Sequence, residues 1–348
     1  MAAFTAAGEA GEAVADHYAI GGHLLAQRRL EEARSELQAV ADEAHIAGVV
    51  ALEARVLGSL ATAIGMQGDA RTAKTLVERA LRLALDANET AAAADVYRRI
   101  GTLHEMSSDY AAACDAYETA LGFCRTQALP GAARTCMGCM TWALFLAGDW
   151  KRAQGIVREV TADPQAPQGS RSVGHLVGGL MAVWRAQPRA LEELERSETL
   201  ARLEQIHSIV WGVAWGRALL AERAGDFATA AGLYRGSIGD WETSDDLVEM
   251  VPVLAHAAAC FNRVGDRAWL DRTVAGLRRC ADGMANAETL AGLARALGEQ
   301  ALGDGRIGEL LGLSSRTVDM HVARILDRLG AGTRTEAALL AEEQGLLG

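Results

Sequence analysis

A pattern of 40 residues recurs along most of this chain and restricts the folds open to it. Each copy starts with Gly-Asp or a variant, as at Gly68-Asp69, and five positions after the first residue it has Ala, as at Ala73, except in the last copy, which has Leu270. A larger side chain follows four positions later, as at Val77. The copies start at residues 28, 68, 108, 148, 185, 225 and 265, so the spacing is 40 except for 37 between residues 148 and 185.

This pattern is typical of stacked helix pairs. The Gly-Asp pair turns one helix into the next, the small residue lets the two helices approach closely, and the larger one fills the gap between them. One pair cannot bury its apolar faces alone, so neighbouring pairs must stack. We therefore predict seven helix pairs over residues 9–283, with the first and fifth the most weakly marked. The polar, proline-containing segment 161–171 is expected to be an exposed loop between two pairs.

The composition agrees with an all-α fold. Half of the residues are hydrophobic, yet only 5% are aromatic and only five are proline. Ala and Leu supply the difference, which suits closely packed helices, and runs of β-branched residues are rare, so little sheet is expected.

The repeat resembles the tetratricopeptide repeat, although its period is 40 rather than about 34 residues. The copy that contains Gly101, Ala113, Tyr117 and Ala120 matches that family best. The resemblance implies a solenoid whose first helices line a concave groove. The positions it places there include Arg55, Arg98, Trp142, Phe145, His175, Trp215 and Arg223. Arg beside Trp suits an extended peptide or an amphipathic ligand; ordinary packing of Trp142 and Trp215 between helices is the alternative.

A second feature lies near the C-terminus, in residues 304–336. The sequence there predicts two short amphipathic helices, between which Gly312 ends the first and Ser314 caps the second. Apolar residues of the second helix recur at i, i+4, i+7 and i+11 from Val318, while its opposite face carries Arg and other polar residues. This arrangement is typical of a helix-turn-helix.

The same residues resemble the signature of the C-terminal DNA-binding domain of LuxR-type bacterial regulators. The matching positions are Leu311, Leu313, Ser314, Arg316, Thr317, Val318, His321, Ile325, Arg328, Leu329, Gly330, Arg334, Thr335, Glu336 and Ala337. We accordingly predict a DNA-binding domain over residues 286–348, with a boundary between Gly283 and Asn286. The alternative is one more amphipathic helix pair that caps the array.

The resemblance implies that the helix Ser315–Leu329 enters the major groove of double-stranded DNA. The candidate DNA-contacting residues are Ser314, Ser315, Arg316, Thr317, Asp319, Met320, His321, Arg324, Arg328 and Arg334. Thr317 and Met320 can touch a thymine methyl group, and Arg316 can reach guanine or phosphate. The four basic residues that follow Met320 are expected along the phosphates, where they position the helix rather than specify a sequence. Asp319 faces the same side and should repel phosphate.

One departure from the family leaves a second interpretation open. The family usually opens with a segment like L-T-x-R-E-x-E-V-L, whereas residues 288–297 keep only its apolar pattern. From residue 303 to 335 five Arg stand against four acidic residues, a net charge of +1, in a chain of net charge −11. The alternative is a protein-interaction adaptor whose helix-turn-helix no longer binds DNA.

Three motifs that suggest other chemistry lack its structural context. Residues 303–308 fit G-x-G-x-x-G and residues 68–75 resemble a phosphate-binding loop, but neither follows a strand. No nucleotide cofactor is therefore expected. Cys136 and Cys139 form a C-x-x-C without two further ligands, so we predict buried cysteines and no metal, with a redox or metal switch as the alternative. No catalytic arrangement is apparent, and an enzyme is not expected.

The sequence thus favours a sequence-specific transcription regulator, with the repeats as a sensory or partner-binding module for an unknown peptide, protein or small-molecule effector. The helix 336–345 offers Leu339 and Leu340 for a two-fold contact, and the family implies a homodimer. The longest apolar stretch, 173–184, is too short to span a bilayer. With no signal peptide at the N-terminus and six cysteines expected to be reduced, the cytoplasm is the expected location.

Overall fold

A computed structural model describes residues 2–303, and all regular structure in that range is α-helical, without a strand. The helices are α1 (Ala2–Ala26), α2 (Leu30–Ala47), α3 (Val50–Met66), α4 (Ala70–Asp86), α5 (Thr90–Met106), α6 (Tyr110–Thr126), α7 (Pro130–Leu146), α8 (Trp150–Ala162), α9 (Gln168–Trp184), α10 (Ala190–Leu203), α11 (His207–Arg223), α12 (Phe227–Trp241), α13 (Val251–Val264), α14 (Arg267–Gly283) and α15 (Ala287–Gly303).

The helices pack in sequence as the repeat predicts. Each copy of the pattern marks the turn between the two helices of one pair, from α1 with α2 to α13 with α14, so the prediction of seven pairs is confirmed. Each pair also packs on its neighbours, as α3 does on α5 and α7 does on α9. The helix α15 packs against both α13 and α14 and extends the array by one further helix.

The turn within a pair has a specific geometry, which explains the Gly-Asp signature. Gly68 has φ of +98°, in the left-handed region that favours glycine. The next residue, Asp69, donates its N–H back to the carbonyl oxygen of Ile64 at 3.2 Å, which closes the preceding helix. The Asp69 carboxylate then accepts the N–H of Thr72 at 3.0 Å and so caps the next helix. The same cap is made by Asp109, Asp149, Asp226 and Asp266.

The left-handed residue recurs at intervals of about half a repeat, because turns between pairs use it as well as turns within pairs. The residues with positive φ are Arg28, Gly48, Gly68, Asn88, Ser108, Ala128, Gly148, Ala186, Gln205, Gly225 and Gly265. In the fifth pair the sequence placed the landmark at Arg185, and this was one residue too early. Arg185 has φ of −90° and ends α9, while Ala186 takes the left-handed conformation at φ of +52°.

The small and large residues of the pattern pack as predicted. Ala113 and Tyr117 are both fully buried. A Cβ atom on Gly101 of α5 would lie 2.6 Å from the Tyr117 ring, so the tyrosine fills the space that this glycine leaves open. The Tyr117 hydroxyl lies 3.1 Å from Thr102 Oγ1, which satisfies the polar end of the ring.

Two connections depart from the regular short turn. The loop predicted over residues 161–171 is shorter than expected, since α8 continues to Ala162 and α9 begins at Gln168. A longer connection, residues 242–250, separates α12 from α13. We call residues 242–250 the closing loop, because they contact the other end of the array.

Candidate functional site

The two ends of the array are joined to each other, and Arg28 is the centre of the polar contacts between them. Its guanidinium donates to Glu249 Oε1 and to Ser208 Oγ, both at 2.9 Å. Arg28 Nε also lies 3.1 Å from Asp246 Oδ2, which is an ion pair although the angle does not suit a hydrogen bond. Asp246 is fully buried and accepts the N–H groups of Val248 and Glu249 at 2.8 Å, so it holds the closing loop in shape.

An apolar cluster lies beside these polar contacts. Leu30, Met66, Met106 and Met284 are buried together, although they come from α2, α3, α5 and the residue that follows α14. Leu247 and Val248 of the closing loop pack on the same cluster. The N-terminal helix pairs therefore meet the C-terminal part of the array through buried side chains as well as charges.

The start of α15 makes a third set of contacts with the N-terminal pairs. Asn286 Nδ2 donates to the Met106 carbonyl oxygen at 2.8 Å, and the Tyr110 hydroxyl donates to Glu288. A Cβ atom on Gly68 would lie 2.3 Å from the Gly283 carbonyl oxygen, so glycine is needed there for close approach as well as for φ. We call the contacts of residues 25–110 with residues 205–208, 242–250 and 283–288 the seam.

A cavity of about 30 Å³ remains inside the seam. Its lining comprises Thr102, Glu105, Met106, Tyr110, Trp142, Leu146, Val248, Glu249, Pro252 and Glu288. A volume of this size holds about two water molecules. The closing loop and α15 thus cover the side of α5 and α7 that faces this cavity.

Acidic side chains from separate elements converge on this cavity. Burial and the nearby Glu249 raise the pKa of Glu105 well above its ordinary value, and Glu105 Oε1 is buried without a hydrogen-bond partner. Burial also raises the pKa of Glu249, against the opposing effect of Arg28. The pKa of Glu288 is raised by burial as well. The closed seam therefore disfavours the charged forms of these carboxyl groups.

The seam incorporates only part of the predicted partner groove. Trp142 lines the seam cavity, and its ring lies 5.8 Å from that of Phe145. Phe145 is buried and stacks on Trp150 at 5.6 Å. Arg98 bonds to Asp95 at 2.8 Å on its own helix and lies 3.9 Å from Cys139 Sγ.

The other predicted groove residues lie elsewhere. His175 is buried, with its Nδ1 atom 2.7 Å from Glu193 Oε2 inside the fifth pair. Trp215 is buried against His256, at 5.2 Å between ring centroids. Arg55 is exposed above the Tyr18 ring at 5.6 Å, and exposed Arg223 donates to the Val183 carbonyl oxygen. The structure thus does not bring the seven predicted positions to one open surface.

A larger cavity, of about 410 Å³, opens between α6, α7 and the end of α8. Its floor includes Leu121, Cys124 and Val160, and an ion pair between Arg134 and Asp163 at 2.5 Å lies at its edge. Neither this cavity nor the seam was apparent from the sequence. The seam's only sequence signal is the acidic, non-repetitive stretch at 244–249, which marks an irregular connection but not what it contacts.

Two of the three motifs that suggested other chemistry, residues 68–75 and the C-x-x-C, lie within the packing of the array. Residues 68–75 form the α3–α4 turn and the start of α4, where Ala73 is fully buried. Cys136 is buried in α7, and burial raises its pKa. Among the described residues, no group of three His, Cys, Asp or Glu side chains is arranged to hold a metal ion. Over the same part of the chain, no helix has the length and apolar character needed to cross a membrane.

All ten candidate DNA-contacting residues, from Ser314 to Arg334, and Leu339 and Leu340 lie outside the described residues, as do five of the six residues of the 303–308 motif. Residues 302–341 match the family GerE, bacterial regulatory proteins of the luxR family. The chain therefore carries a luxR-family domain at its C-terminal end, preceded by an all-helical array. The match begins at Leu302, within the last turn of α15.

Two further comparisons add little. No curated protein matches the sequence. The crystal structure of BtubC (BKLC) from P. vanneervenii is similar over 66% of this chain and 92% of its own, with 18% identity and a TM-score of 0.44. A likeness of that degree carries no functional argument.

Proposed function

We propose that this protein is a sequence-specific DNA-binding transcription regulator. The luxR-family domain at residues 302–341 carries this proposal, because that family consists of DNA-binding regulators rather than enzymes. In the proposed mode of binding, Ser315–Leu329 is the recognition helix and lies in the major groove. Arg316, Thr317 and Met320 lie nearest the base edges, and the later basic residues hold the phosphates.

The helical array is proposed to be the module that receives a signal. Stacked helix pairs expose long surfaces that suit peptides or other proteins, and Trp142 lines the cavity at the seam, where the array contacts itself. The proposed domain limits are 9–283 and 286–348, although α15 packs on the array as well as leading into the luxR-family domain. A homodimer on two half-sites and a cytoplasmic location belong to the same proposal.

The full-length protein tests this proposal in a selection from random-sequence DNA duplexes. We expect enrichment of a motif with two half-sites, and an affinity for it that falls as salt rises, because phosphate contacts release counterions. A failure to enrich any duplex would contradict DNA binding. It would favour the adaptor. The lost opening signature at 288–297 and the net charge of only +1 over residues 303–335 support that alternative.

A further inference from the structure

The seam covers the side of α5 and α7 on which one predicted groove residue, Trp142, lies. Its cavity of about 30 Å³ has no room for a peptide, and Trp142 faces that cavity. Any partner that reaches α5 and α7 from this side must first displace the closing loop. We propose that the seam is a lock, which opens to admit the partner and whose opening moves α15 and the luxR-family domain. This inference rests on the proposed function and specifies how it is regulated.

The composition of the seam differs from that of the helix-pair cores. Within the pairs, contacts are continuous and apolar, as between Ala113 and Tyr117 and their neighbours. At the seam four apolar side chains are buried together with a few partly buried ones around them, and the contact also includes buried polar and charged groups. Arg28 is balanced against both Asp246 and Glu249, and Glu105 adds a further acidic group without a partner for its Oε1 atom. Buried ion pairs and a buried carboxyl oxygen without a partner stabilise less than close-packed apolar side chains, so this contact is weaker than the cores that it joins.

The helix α15 connects the seam to the luxR-family domain. Asn286, which directly precedes this helix, and Glu288 in its first turn bind the N-terminal pairs. Its far end is Gly303, and the family match already begins at Leu302. A 17-residue helix spans about 25 Å, so a displacement at Glu288 reaches the domain through continuous helix. Released from the seam, α15 keeps only its packing on α13 and α14.

Hydrogen exchange on the full-length protein tests the lock. Arg28→Ala removes the contacts with Asp246, Glu249 and Ser208. Residue 28 has φ of +61°, and a residue other than glycine occupies this left-handed position in both the wild type and the variant. We expect the amide protection of α15 and the closing loop to fall about tenfold, while α7–α10 stay unchanged. Arg152→Ala is the matched control, because it removes an ion pair with Glu118 away from the seam.

A milder variant distinguishes opening of the seam from a general loss of folding. Tyr110→Phe removes only the hydroxyl that bonds to Glu288, and we expect it to lower protection at the start of α15 by a smaller factor. Changes confined to the residues next to position 28, or protection in both seam variants equal to that of Arg152→Ala, would overturn the lock.

DNA binding tests the coupling separately. On a duplex enriched by the wild type, Arg28→Ala should change affinity at least threefold, while Arg152→Ala leaves it unchanged. If hydrogen exchange shows that the seam opens, equal DNA affinity of the wild type, Arg28→Ala and Arg152→Ala would refute the coupling. If the wild type enriches no duplex, the proposed regulator fails, and the exchange measurements still decide whether the seam opens.

Discussion

Single residues of the repeat have separate tasks, and the structure assigns a physical reason to each. Gly68 supplies a left-handed turn and Asp69 caps the next helix. Ala113 keeps two helices close, and Tyr117 fills the space over Gly101. The left-handed position is not restricted to glycine, since Ser108 and Ala128 also adopt positive φ. That tolerance explains why the signature weakens in some copies while the turn survives.

The packing of Ala113 predicts a large effect of substitution. Ala113→Arg places a long charged side chain in a fully buried contact between helices, so we expect the free energy of unfolding to fall by about 3 kcal/mol or more. Thermal and urea unfolding measure it. Ala111→Arg, at an exposed position of the same helix, is the control and should have little effect. Equal stability of the two variants would show that residue 113 does not lie at a close contact.

Two substitutions in the luxR-family domain should separate positioning from recognition. Arg328→Ala is expected to weaken binding to all duplexes and to reduce the salt slope by about one phosphate contact. Thr317→Ala should change which sequences are enriched and leave the salt slope nearly intact. Affinity measured against salt on a selected duplex distinguishes them. An Arg328→Ala protein with unchanged affinity and slope would contradict the proposed docking.

At the scale of elements, the regular helices were predictable and the irregular connections were not. The spacing of the Gly-Asp pairs predicted seven helix pairs, since a turn signal and two packing positions recur in nearly every copy. The spacing placed the fifth turn at Arg185 instead of Ala186. Ala186 is the left-handed residue of that copy, and because it is not glycine the sequence does not mark it as a turn. The closing loop escaped prediction because its partners, such as Arg28, lie more than 200 residues away.

The groove residues show the same limit. The resemblance to the tetratricopeptide repeat placed Trp142, His175 and Trp215 on first helices, and they lie on α7, α9 and α11. Which of them faces a groove depends on how neighbouring pairs stack and on where the array contacts itself. His175 instead bonds within its own pair, and α13 covers Trp215 with His256.

His256 gives α13 a pH-dependent contribution to stability. Its ring lies between Trp184 and Trp215, and its Nδ1 atom is 2.9 Å from the Pro252 carbonyl oxygen. Burial, and secondarily the charge of Arg295, lower the pKa of His256 to about 3. The folded state thus favours the neutral ring, so stability from this residue is complete above the unfolded pKa of about 6.5 and is lost as pH falls toward 3.

His256→Gln should therefore reduce the acid sensitivity of the array. Between pH 6.5 and 4, each unit by which the pH falls lowers the free energy of unfolding of the wild type by up to about 1.4 kcal/mol through this residue. The variant has no titratable group there, so it lacks this loss. Urea unfolding at several pH values measures the two slopes. His23→Gln, at an exposed position in α1, should keep the wild-type slope. Parallel curves for wild type and His256→Gln would contradict the assignment.

At the scale of the whole molecule, closure of the acidic seam depends on pH in the opposite direction to the contribution of His256. The pKa of Glu105 is raised by burial and by Glu249, and Glu288 also carries a raised pKa. A carboxyl group with a raised pKa in the folded state stabilises it at low pH, and this contribution is lost as pH rises through that pKa. The seam is accordingly tightest under mildly acidic conditions.

Glu105→Gln removes one of these charges while keeping the size of the side chain. We expect the free energy of unfolding to rise at pH 8 by about 1–3 kcal/mol, since the variant cannot carry a negative charge at this buried position beside Glu249. At pH 5 the gain should be smaller. Unfolding at both pH values, with exposed Glu78→Gln on α4 as the control, measures the difference. A gain that is equal at both pH values would exclude Glu105 ionisation as its source.

The seam also changes the order in which this protein can fold. In an open array of helix pairs, each pair contacts only its neighbours, so folding starts anywhere and the terminal pairs fray first. Here Arg28 in the first pair contacts Glu249, 221 residues away, and closing so long a loop has an entropic cost that only a nearly complete array repays. The seam is therefore the last contact to form and the first to break. The seam restrains the first helix pair and the C-terminal helix pair, which would otherwise be free ends, so these pairs can fray only after the seam has opened.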